Sequence, residues 1–274
     1  MKIVITGINS FIGQNLIKII KNKRLKIIGT YNRKKPISKK IKYLKLDISK
    51  KKINYYKYLK KPEVLIHLAW QKLEDFNDKN HLNKTLRAQK FFLNNLVKRG
   101  LNNLVVAGTC FEYGKKKGCL TEDKETKPIL NYAIAKDNLR KFLFGLQKKY
   151  KFNLTWLRFF YIYGYNPNRK TLTNLLIDSR KKKHKLFIDG HIKRDFLSVE
   201  KTVKYILLLS LKKKNLGIVN LCSGKSISLK YLVKILIKKY KIKPFIEYKK
   251  IKLKNYETEN FYGDNTKLTS ILNT

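Results

Sequence analysis

The chain is poor in acidic residues and, among its basic residues, poor in arginine. Its 18 aspartates and glutamates stand against 64 lysines and arginines, a formal net charge of +46, and only nine of the basic residues are arginine. A strongly basic surface is typical of nucleic-acid-binding proteins. Arginine, however, is the residue that makes bidentate contacts to bases and phosphates, and the lysines are spread along the whole chain. We therefore attribute the charge to a general lysine bias and predict no nucleic-acid partner, although such a surface attracts phosphorylated substrates.

Cysteines, metal-binding patterns and long apolar runs are scarce as well. Three cysteines in 274 residues do not make a disulfide framework, and no spacing of histidine and cysteine indicates a metal site. The longest apolar runs, 64–70 and 205–211, are too short to span a bilayer. A strand-like segment already begins at Lys2, where a signal peptide would stand. These absences predict a cytoplasmic protein with no metal and no membrane partner.

The first half of the chain alternates short apolar segments with longer amphipathic ones. The pattern predicts strands at 2–6, 25–31, 41–46, 64–68, 103–107 and 154–159, and helices at 11–21, 83–99 and 131–150. Strand–helix alternation with helix-length connections is typical of a parallel sheet covered by helices on both faces. Strand 64–68 is apolar at nearly every position, as a strand buried on both faces must be. The sequence therefore predicts an α/β fold with a doubly wound parallel sheet.

After residue 161 the pattern becomes irregular. It predicts helices at 172–182, 200–212 and 228–240, strands at 185–189 and 217–222, and a further segment at 194–199. The helix at 228–240 has one apolar stripe, and Ser228 is suited to cap its N-terminus. We predict a large first domain at residues 1–165, to which 194–223 returns, and a small interleaved C-terminal lobe at 166–274.

Residues 6–13 read Thr-Gly-Ile-Asn-Ser-Phe-Ile-Gly and join the first predicted strand to the first predicted helix. In that context Gly7 permits a tight turn, and Gly13 lets the helix pack closely against the strand. Backbone N–H groups at the start of the helix then bind the pyrophosphate of a dinucleotide. The predicted cofactor contacts of this phosphate loop are Gly7, Asn9, Ser10, Phe11, Ile12 and Gly13.

The phosphate loop resembles the TGxxGFIG loop of the extended short-chain dehydrogenases/reductases, the NAD-dependent epimerase/dehydratase family, with Ser10 in place of the middle glycine. The resemblance implies that the first domain is an NAD(P)-binding Rossmann domain and that the C-terminal lobe binds substrate. Further cofactor contacts that it implies are Asp47 and Ile48 near the adenine, Leu68 and Ala69 along the ribose and phosphates, and Phe159 near the nicotinamide.

The end of the second predicted strand bears on the choice of cofactor. An acidic residue there would accept a hydrogen bond from the ribose 2′-hydroxyl of NAD, and the segment has none. Arg33 can pair instead with a 2′-phosphate. The sequence therefore favours NADP, while Arg33 as an ordinary solvated side chain leaves NAD open.

A Tyr-x-x-x-Lys motif places both side chains on one helix face. There the ammonium favours tyrosinate, which lets the tyrosine act as a general acid or base. The motif occurs five times, so context must select one copy. Tyr132 and Lys136 lie early in a long predicted helix, after a strand whose end, 108–114, resembles the family's SSSxxVYG stretch. The resemblance implies a catalytic set of Thr109, Tyr132 and Lys136, with Lys136 also reaching the nicotinamide ribose.

The residues after Thr109 narrow the reaction. Family members that dehydrate a sugar carry Asp-Glu there, whereas this chain has Cys110 and Phe111. The resemblance therefore implies hydride transfer at C4 of a nucleotide-sugar, as a 4-ketoreductase or a 4-epimerase. Cys110 is either an acid/base or, as we favour, a buried thiol.

The resemblance also implies substrate contacts and an assembly. Arg194, in an Arg-Asp-Phe segment, is expected to bind the nucleotide diphosphate, the alternative being a structural pair with Asp195. The predicted substrate contacts are Trp70, Thr109, Tyr132, Tyr161 and Arg194. A homodimer through the helices at 83–99 and 131–150 is implied as well. A non-catalytic NAD(P)-binding regulatory protein is the rival hypothesis, which the intact Thr109, Tyr132 and Lys136 set disfavours.

Overall fold

The computed structural model of the chain describes residues 1–20, 24–36, 41–50, 53–166, 171–181 and 184–273. Two predicted helix ends, Lys21 and Lys182, lie outside these residues. No helix in the described part is long and apolar enough to cross a membrane. Cys110, Cys119 and Cys222 are free thiols.

A seven-stranded parallel sheet forms the centre of the fold. Its strands are β1 (Lys2–Thr6), β2 (Lys26–Tyr31), β3 (Lys42–Lys45), β4 (Val64–His67), β5 (Asn103–Thr109), β7 (Asn153–Phe159) and β11 (Gly217–Leu221). They lie in the order β11-β7-β5-β4-β1-β2-β3. The order reverses between β1 and β4, and ligands of such sheets bind in the crevice at the carboxyl ends of the strands on either side of the reversal.

Helices cover both faces of this sheet. The helices of the chain are α1 (Phe11–Ile19), α2 (Tyr55–Tyr58), α3 (Leu86–Lys98), α4 (Asn131–Lys149), α5 (Leu172–Lys181), α6 (Val199–Leu211), α7 (Leu229–Tyr240) and α8 (Thr266–Asn273). Successive β1 side chains point to opposite faces, so Ile5 shares one buried cluster with Leu16 of α1 and Val203 of α6. Val4 lies in the other cluster, with Phe92 of α3. The predicted α/β fold with a doubly wound parallel sheet is confirmed.

The segment before α3 differs from the prediction. The helix predicted to begin at residue 83 begins instead as a π-helical turn, His81–Thr85, which carries His81 and Thr85 into the interior. In this turn the His81 ring contacts the rings of Trp70 and Tyr132.

The remaining strands form two smaller sheets. They are β6 (Gly118–Leu120), β8 (Tyr161–Tyr163), β9 (Leu186–Ile188), β10 (Lys193–Ser198), β12 (Ser226–Ser228), β13 (Ile246–Tyr248) and β14 (Asn260–Gly263). The five-stranded sheet has the order β12-β10-β14-β6, with β8 paired to β10, and β13 pairs with β9. Within the predicted returning segment 194–223, β11 joins the large sheet and α6 packs on α1, whereas β10 belongs to the smaller sheet. Ser228 caps α7, accepting a hydrogen bond from the backbone N–H of Tyr231.

Candidate active site

The phosphate loop has space for glycine alone at its two ends. Gly7 has a φ of +70°, and a Cβ there would lie 2.8 Å from the backbone nitrogen of Ala69. A Cβ on Gly13 would lie 2.6 Å from the carbonyl oxygen of Gly7. The loop is thus folded tightly against the end of β4, and a backbone cradle of this kind at a helix N-terminus fits a pyrophosphate.

Ser10, which replaces the middle glycine, caps α1. Its Oγ accepts a hydrogen bond from the backbone N–H of Gly13 at 3.0 Å, which stabilises the first turn of the helix. The neighbouring Asn9 donates from Nδ2 to the carbonyl of Lys34 at 2.6 Å. This bond ties the loop to the segment after β2, where Arg33 is exposed. Phe11 is buried at the start of α1, and Ile12 packs against the same core.

The end of β4 is held by a buried histidine. His67 Nδ1 lies 2.8 Å from the Thr6 hydroxyl, and its Nε2 contacts the Gln89 side-chain oxygen. Gln89 Nε2 donates to the carbonyl of Ala69, which orients its oxygen toward His67 and makes His67 Nε2 the protonated nitrogen. Burial lowers the pKa of His67 to about 3. His67 is therefore a neutral structural residue that fixes the Leu68 and Ala69 backbone beside the phosphate loop.

Asp47 and Ile48 follow β3 at the same edge of the sheet. Asp47 accepts hydrogen bonds from the Ser49 hydroxyl and the Ser49 backbone N–H, and these lower the pKa of the carboxyl. The Tyr55 hydroxyl donates to the carbonyl of Asp47 at 2.8 Å. The turn is thus rigid where the resemblance places the adenine.

Thr109 is the last residue of β5. Its Oγ accepts a hydrogen bond from the backbone N–H of Phe111 at 3.3 Å, and its backbone N–H donates to the Glu112 carboxylate at 2.8 Å. These two bonds form a capping box around the short 3-10 turn Cys110–Tyr113. They orient the Thr109 hydroxyl while leaving its proton able to donate.

Lys136 lies in α4, one turn after Tyr132, and only 2% of it is exposed. Its Nζ donates to the carbonyl of Ala107 at 2.6 Å, which brings the ammonium to the end of the strand that carries Thr109. Burial lowers the pKa of Lys136 to about 7. The amine is thus poised to change protonation near neutral pH.

The Tyr132 ring lies among aromatic side chains. It stacks on Phe76 with ring centroids 5.0 Å apart and meets the edges of Trp70 and His81 at 5.8 and 5.5 Å. Its backbone N–H donates to the carbonyl of Phe76, so the segment between β4 and the π-helical turn is fastened onto the start of α4. The ring is held firmly in one orientation.

Sequence analysis missed a buried ionic cluster beneath the 3-10 turn. Glu112 accepts hydrogen bonds from Arg158 Nε at 3.0 Å and from Trp156 Nε1 at 3.0 Å, in addition to Thr109. A Cβ on Gly108 would lie 2.3 Å from Trp156 Nε1, so the cluster also requires that glycine. Glu112 is fully buried and thereby anchors the turn that carries Thr109.

Arg194 is buried near Tyr161 and has one unused nitrogen. Nη1 donates to the carbonyls of Lys193 and Glu259, and Nε lies 3.3 Å from the Tyr161 hydroxyl. Nη2 is buried with no hydrogen-bond partner among the described residues. The alternative of a structural pair with Asp195 is not what the described residues form, because the Asp195 carboxylate accepts from the backbone N–H groups of 223, 224 and 263 instead.

Phe111 lies in the middle of an aromatic wall next to the Tyr132 ring. It contacts Phe76 at 5.7 Å and both Tyr161 and Tyr256 at 6.1 Å between centroids. Its neighbour Cys110 is buried, and burial raises the pKa of its thiol. Cys110 is therefore a neutral buried thiol, as we favoured. Phe159, at the end of β7, packs against the core.

Comparisons with known proteins agree with this architecture. The model of the NAD dependent epimerase/dehydratase family matches residues 3–222. A dTDP-6-deoxy-L-talose 4-dehydrogenase (NAD(+)) of Aggregatibacter actinomycetemcomitans is 29% identical over 273 residues, which covers 96% of this chain and 99% of that protein.

Solved structures share the fold at lower identity. The UDP-N-acetylglucosamine 4-epimerase of Methanobrevibacter ruminantium M1, in complex with UDP-N-acetylmuramic acid, has a TM-score of 0.84 at 20% identity, over 98% of this chain and 91% of that one. The UDP-glucuronic acid 4-epimerase of Bacillus cereus, in complex with UDP-glucuronic acid and NAD, has a TM-score of 0.82 at 20% identity, over 100% and 93% of the two chains.

Proposed function

Because this chain belongs to the NAD-dependent epimerase/dehydratase family, we propose that it is an NAD-dependent enzyme that transfers hydride at C4 of a nucleotide-sugar. It acts as a 4-dehydrogenase/4-ketoreductase or as a 4-epimerase. The observation that carries the proposal is the buried Lys136 ammonium, bonded to the end of β5 one turn from Tyr132. An unpaired lysine is seldom buried without a function.

The chemistry follows from the side chains at the end of β5. Tyr132 exchanges a proton with the oxygen on the sugar C4, as general base in oxidation and general acid in reduction. Thr109 donates a hydrogen bond to the same oxygen, and the Lys136 ammonium stabilises the tyrosinate. The phosphate loop and the ends of β3 and β4 would hold NAD, which would supply the hydride acceptor in oxidation and, once reduced, the hydride donor in reduction. In epimerisation the 4-keto sugar would rotate in the site, after which the hydride would return to the opposite face of C4 while Tyr132 returns the proton to the oxygen.

The function is tested by supplying purified protein with NAD⁺ and dTDP-6-deoxy-L-talose and following NADH formation by absorbance. UDP-glucuronic acid and UDP-N-acetylglucosamine are incubated in parallel, and their C4 epimers are separated by chromatography. Mass spectrometry of nucleotides that co-purify with the protein identifies the cofactor and substrate class. Bound cofactor without turnover of any nucleotide-sugar would support the regulatory protein instead.

The cofactor that we propose is NAD rather than the NADP that Arg33 favours. The talose 4-dehydrogenase relative is named for NAD(+), and the Bacillus cereus epimerase was solved with NAD. Arg33→Ala is then expected to leave the Kd for NAD within about twofold. The same variant is expected to weaken NADP binding by roughly 10- to 100-fold, because a charge-assisted hydrogen bond to the 2′-phosphate is lost. Calorimetry with both cofactors measures this, with Arg99→Ala at another exposed arginine as the control. A tenfold loss of NAD affinity would contradict this assignment.

Arg194 is proposed to bind the diphosphate of the substrate through Nη2. Arg194→Gln is expected to raise KM for the nucleotide-sugar by roughly 10- to 100-fold, because a charge-assisted hydrogen bond is lost, with little change in kcat. Steady-state kinetics measure this, and Arg180→Gln on the exposed surface of α5 is the control. A KM unchanged by Arg194→Gln would remove Arg194 from the substrate site. The homodimer, the cytoplasmic location and the absence of a nucleic-acid partner stay predictions from the sequence.

A further inference from the structure

The indole ring of Trp70 lies over the ammonium of Lys136. Trp70 ends the Leu-Ile-His-Leu-Ala-Trp string that follows β4, and Lys136 Nζ is 3.9 Å from the centroid of its ring. This distance is well inside the range of a cation–π contact, and tryptophan is the strongest aromatic partner for a cation. The resemblance placed Trp70 only among the substrate contacts, so the pairing with Lys136 is a separate role.

A hydrogen-bond chain from the edge of the indole holds the Trp70 ring in place. Trp70 Nε1 donates to His81 Nδ1 at 3.1 Å, and His81 Nε2 lies 2.8 Å from the carbonyl of Asp75, to which it must donate. His81 is fully buried in the π-helical turn. The indole face is therefore presented to Lys136 by fixed neighbours.

Lys136 needs such a partner because its other contacts do not compensate its charge. It donates a hydrogen bond to the carbonyl of Ala107, and among the described residues it forms no ion pair. Of the groups that face it, Glu112 favours its charged form but is already bonded to Arg158 and close to Arg140. His67, which is neutral, and the Tyr132 ring also face Lys136. An aromatic face stabilises a desolvated ammonium more than it stabilises an ammonium that is exposed to water.

We propose that Trp70 is a positioning residue that keeps Lys136 charged and in place beside Tyr132 through the face of its indole ring. The role in turnover rests on the proposed function, whereas the contact itself can be tested without substrate.

The contact is tested by the pH dependence of tryptophan emission in the purified full-length protein. The chain has two tryptophans, and Trp156 is buried with its N–H bonded to Glu112. We expect the emission to titrate with a midpoint near the Lys136 pKa of about 7. The transition is expected to vanish in Lys136→Met, which removes the charge, and in Trp70→Phe, which removes the reporter. A transition that persists unchanged in Lys136→Met would overturn the proposal.

The role in turnover is tested with Trp70→Leu and Trp70→Phe. Leucine keeps the site apolar and removes the ring face, so the ammonium is destabilised and the pKa of Lys136 falls. The alkaline limb of kcat is therefore expected to move down by about one pH unit, with kcat at neutral pH lowered about fivefold. Phenylalanine restores a ring face and is expected to recover most of the activity. Phe187→Leu, which removes the exposed ring under Lys249 on the surface, is the matched control.

Equal pH profiles for Trp70→Leu and the wild type would overturn the proposal. A loss of kcat in Trp70→Leu that is equally large in Trp70→Phe would overturn it as well. Far-ultraviolet circular dichroism and thermal unfolding confirm that each variant is folded. If no variant and no wild-type protein turns over a nucleotide-sugar while the emission still titrates through Lys136, the proposed function fails and the Trp70–Lys136 contact stands.

Discussion

Tyr132→Phe is expected to lower kcat by about a thousandfold or more, because removing a general acid–base group typically costs between 10²- and 10⁴-fold. Phenylalanine keeps the stacking on Phe76 and the edge contacts to Trp70 and His81, so the fold and the Kd for NAD are expected to change little. Single-turnover kinetics and calorimetry measure the two quantities separately.

The chain supplies a matched control for this substitution. Tyr248 also stands four residues before a lysine, but it lies in β13, in the two-stranded sheet with β9. Tyr248→Phe is expected to leave kcat unchanged. Retained turnover in Tyr132→Phe would falsify the catalytic assignment, whereas equal losses in both variants would point to a loss of folding.

Glu112→Ala is expected to lower the free energy of unfolding by about 3–5 kcal/mol, because it leaves the Arg158 guanidinium buried without its carboxylate. The backbone N–H of Thr109 and the Trp156 N–H also lose their acceptor. Urea unfolding followed by circular dichroism measures the change. Activity is expected to fall further than stability alone explains, since Thr109 loses the bond that holds its backbone.

Glu63→Ala is the control variant for Glu112→Ala. Glu63 bonds to Lys213 and to the N-terminal segment, but it lies half-exposed at the surface. Exposed ion pairs contribute about 1 kcal/mol or less, so this variant is expected to unfold at nearly the wild-type urea concentration. If Glu112→Ala is as stable as Glu63→Ala, the buried Arg158 guanidinium does not need the Glu112 carboxylate as its partner.

The large sheet was predictable because its signals are local. β1 was predicted with its observed bounds, and β4 within one residue at its end, since both are apolar on both faces and both precede a turn or loop. The tight turn between β1 and α1 was predictable for the same reason: its two glycines and the following amphipathic helix lie within one short segment. Such patterns report burial of a single element without reference to distant parts of the chain.

The five-stranded sheet was not predictable from the same patterns. It pairs β6 with β14, so that Gly118 lies beside Phe261, and short strands whose partners are far along the chain carry little local periodicity. β6, β8, β12 and β14 were accordingly missing from the prediction. The predicted segment 194–199 corresponds to β10, which pairs with the distant strands β8, β12 and β14.

Within the candidate site, the sequence predicts which residues take part but not how they are supported. Glu112 reads as an ordinary surface carboxylate until Arg158 and Trp156, contributed by β7, are placed against it. The Trp70 contact to Lys136 joins the end of β4 to α4, and no spacing rule connects them. Charged residues whose role depends on tertiary neighbours need coordinates to be assigned.

The position of β11 at the border of the large sheet constrains how the protein can be made. A chain that ends near residue 165 lacks both β11 and α6, so β7 presents an unpaired row of backbone groups and one apolar face of the large sheet is uncovered. An exposed strand edge pairs readily with other chains. A shortened gene that ends near codon 165 is therefore expected to yield insoluble material.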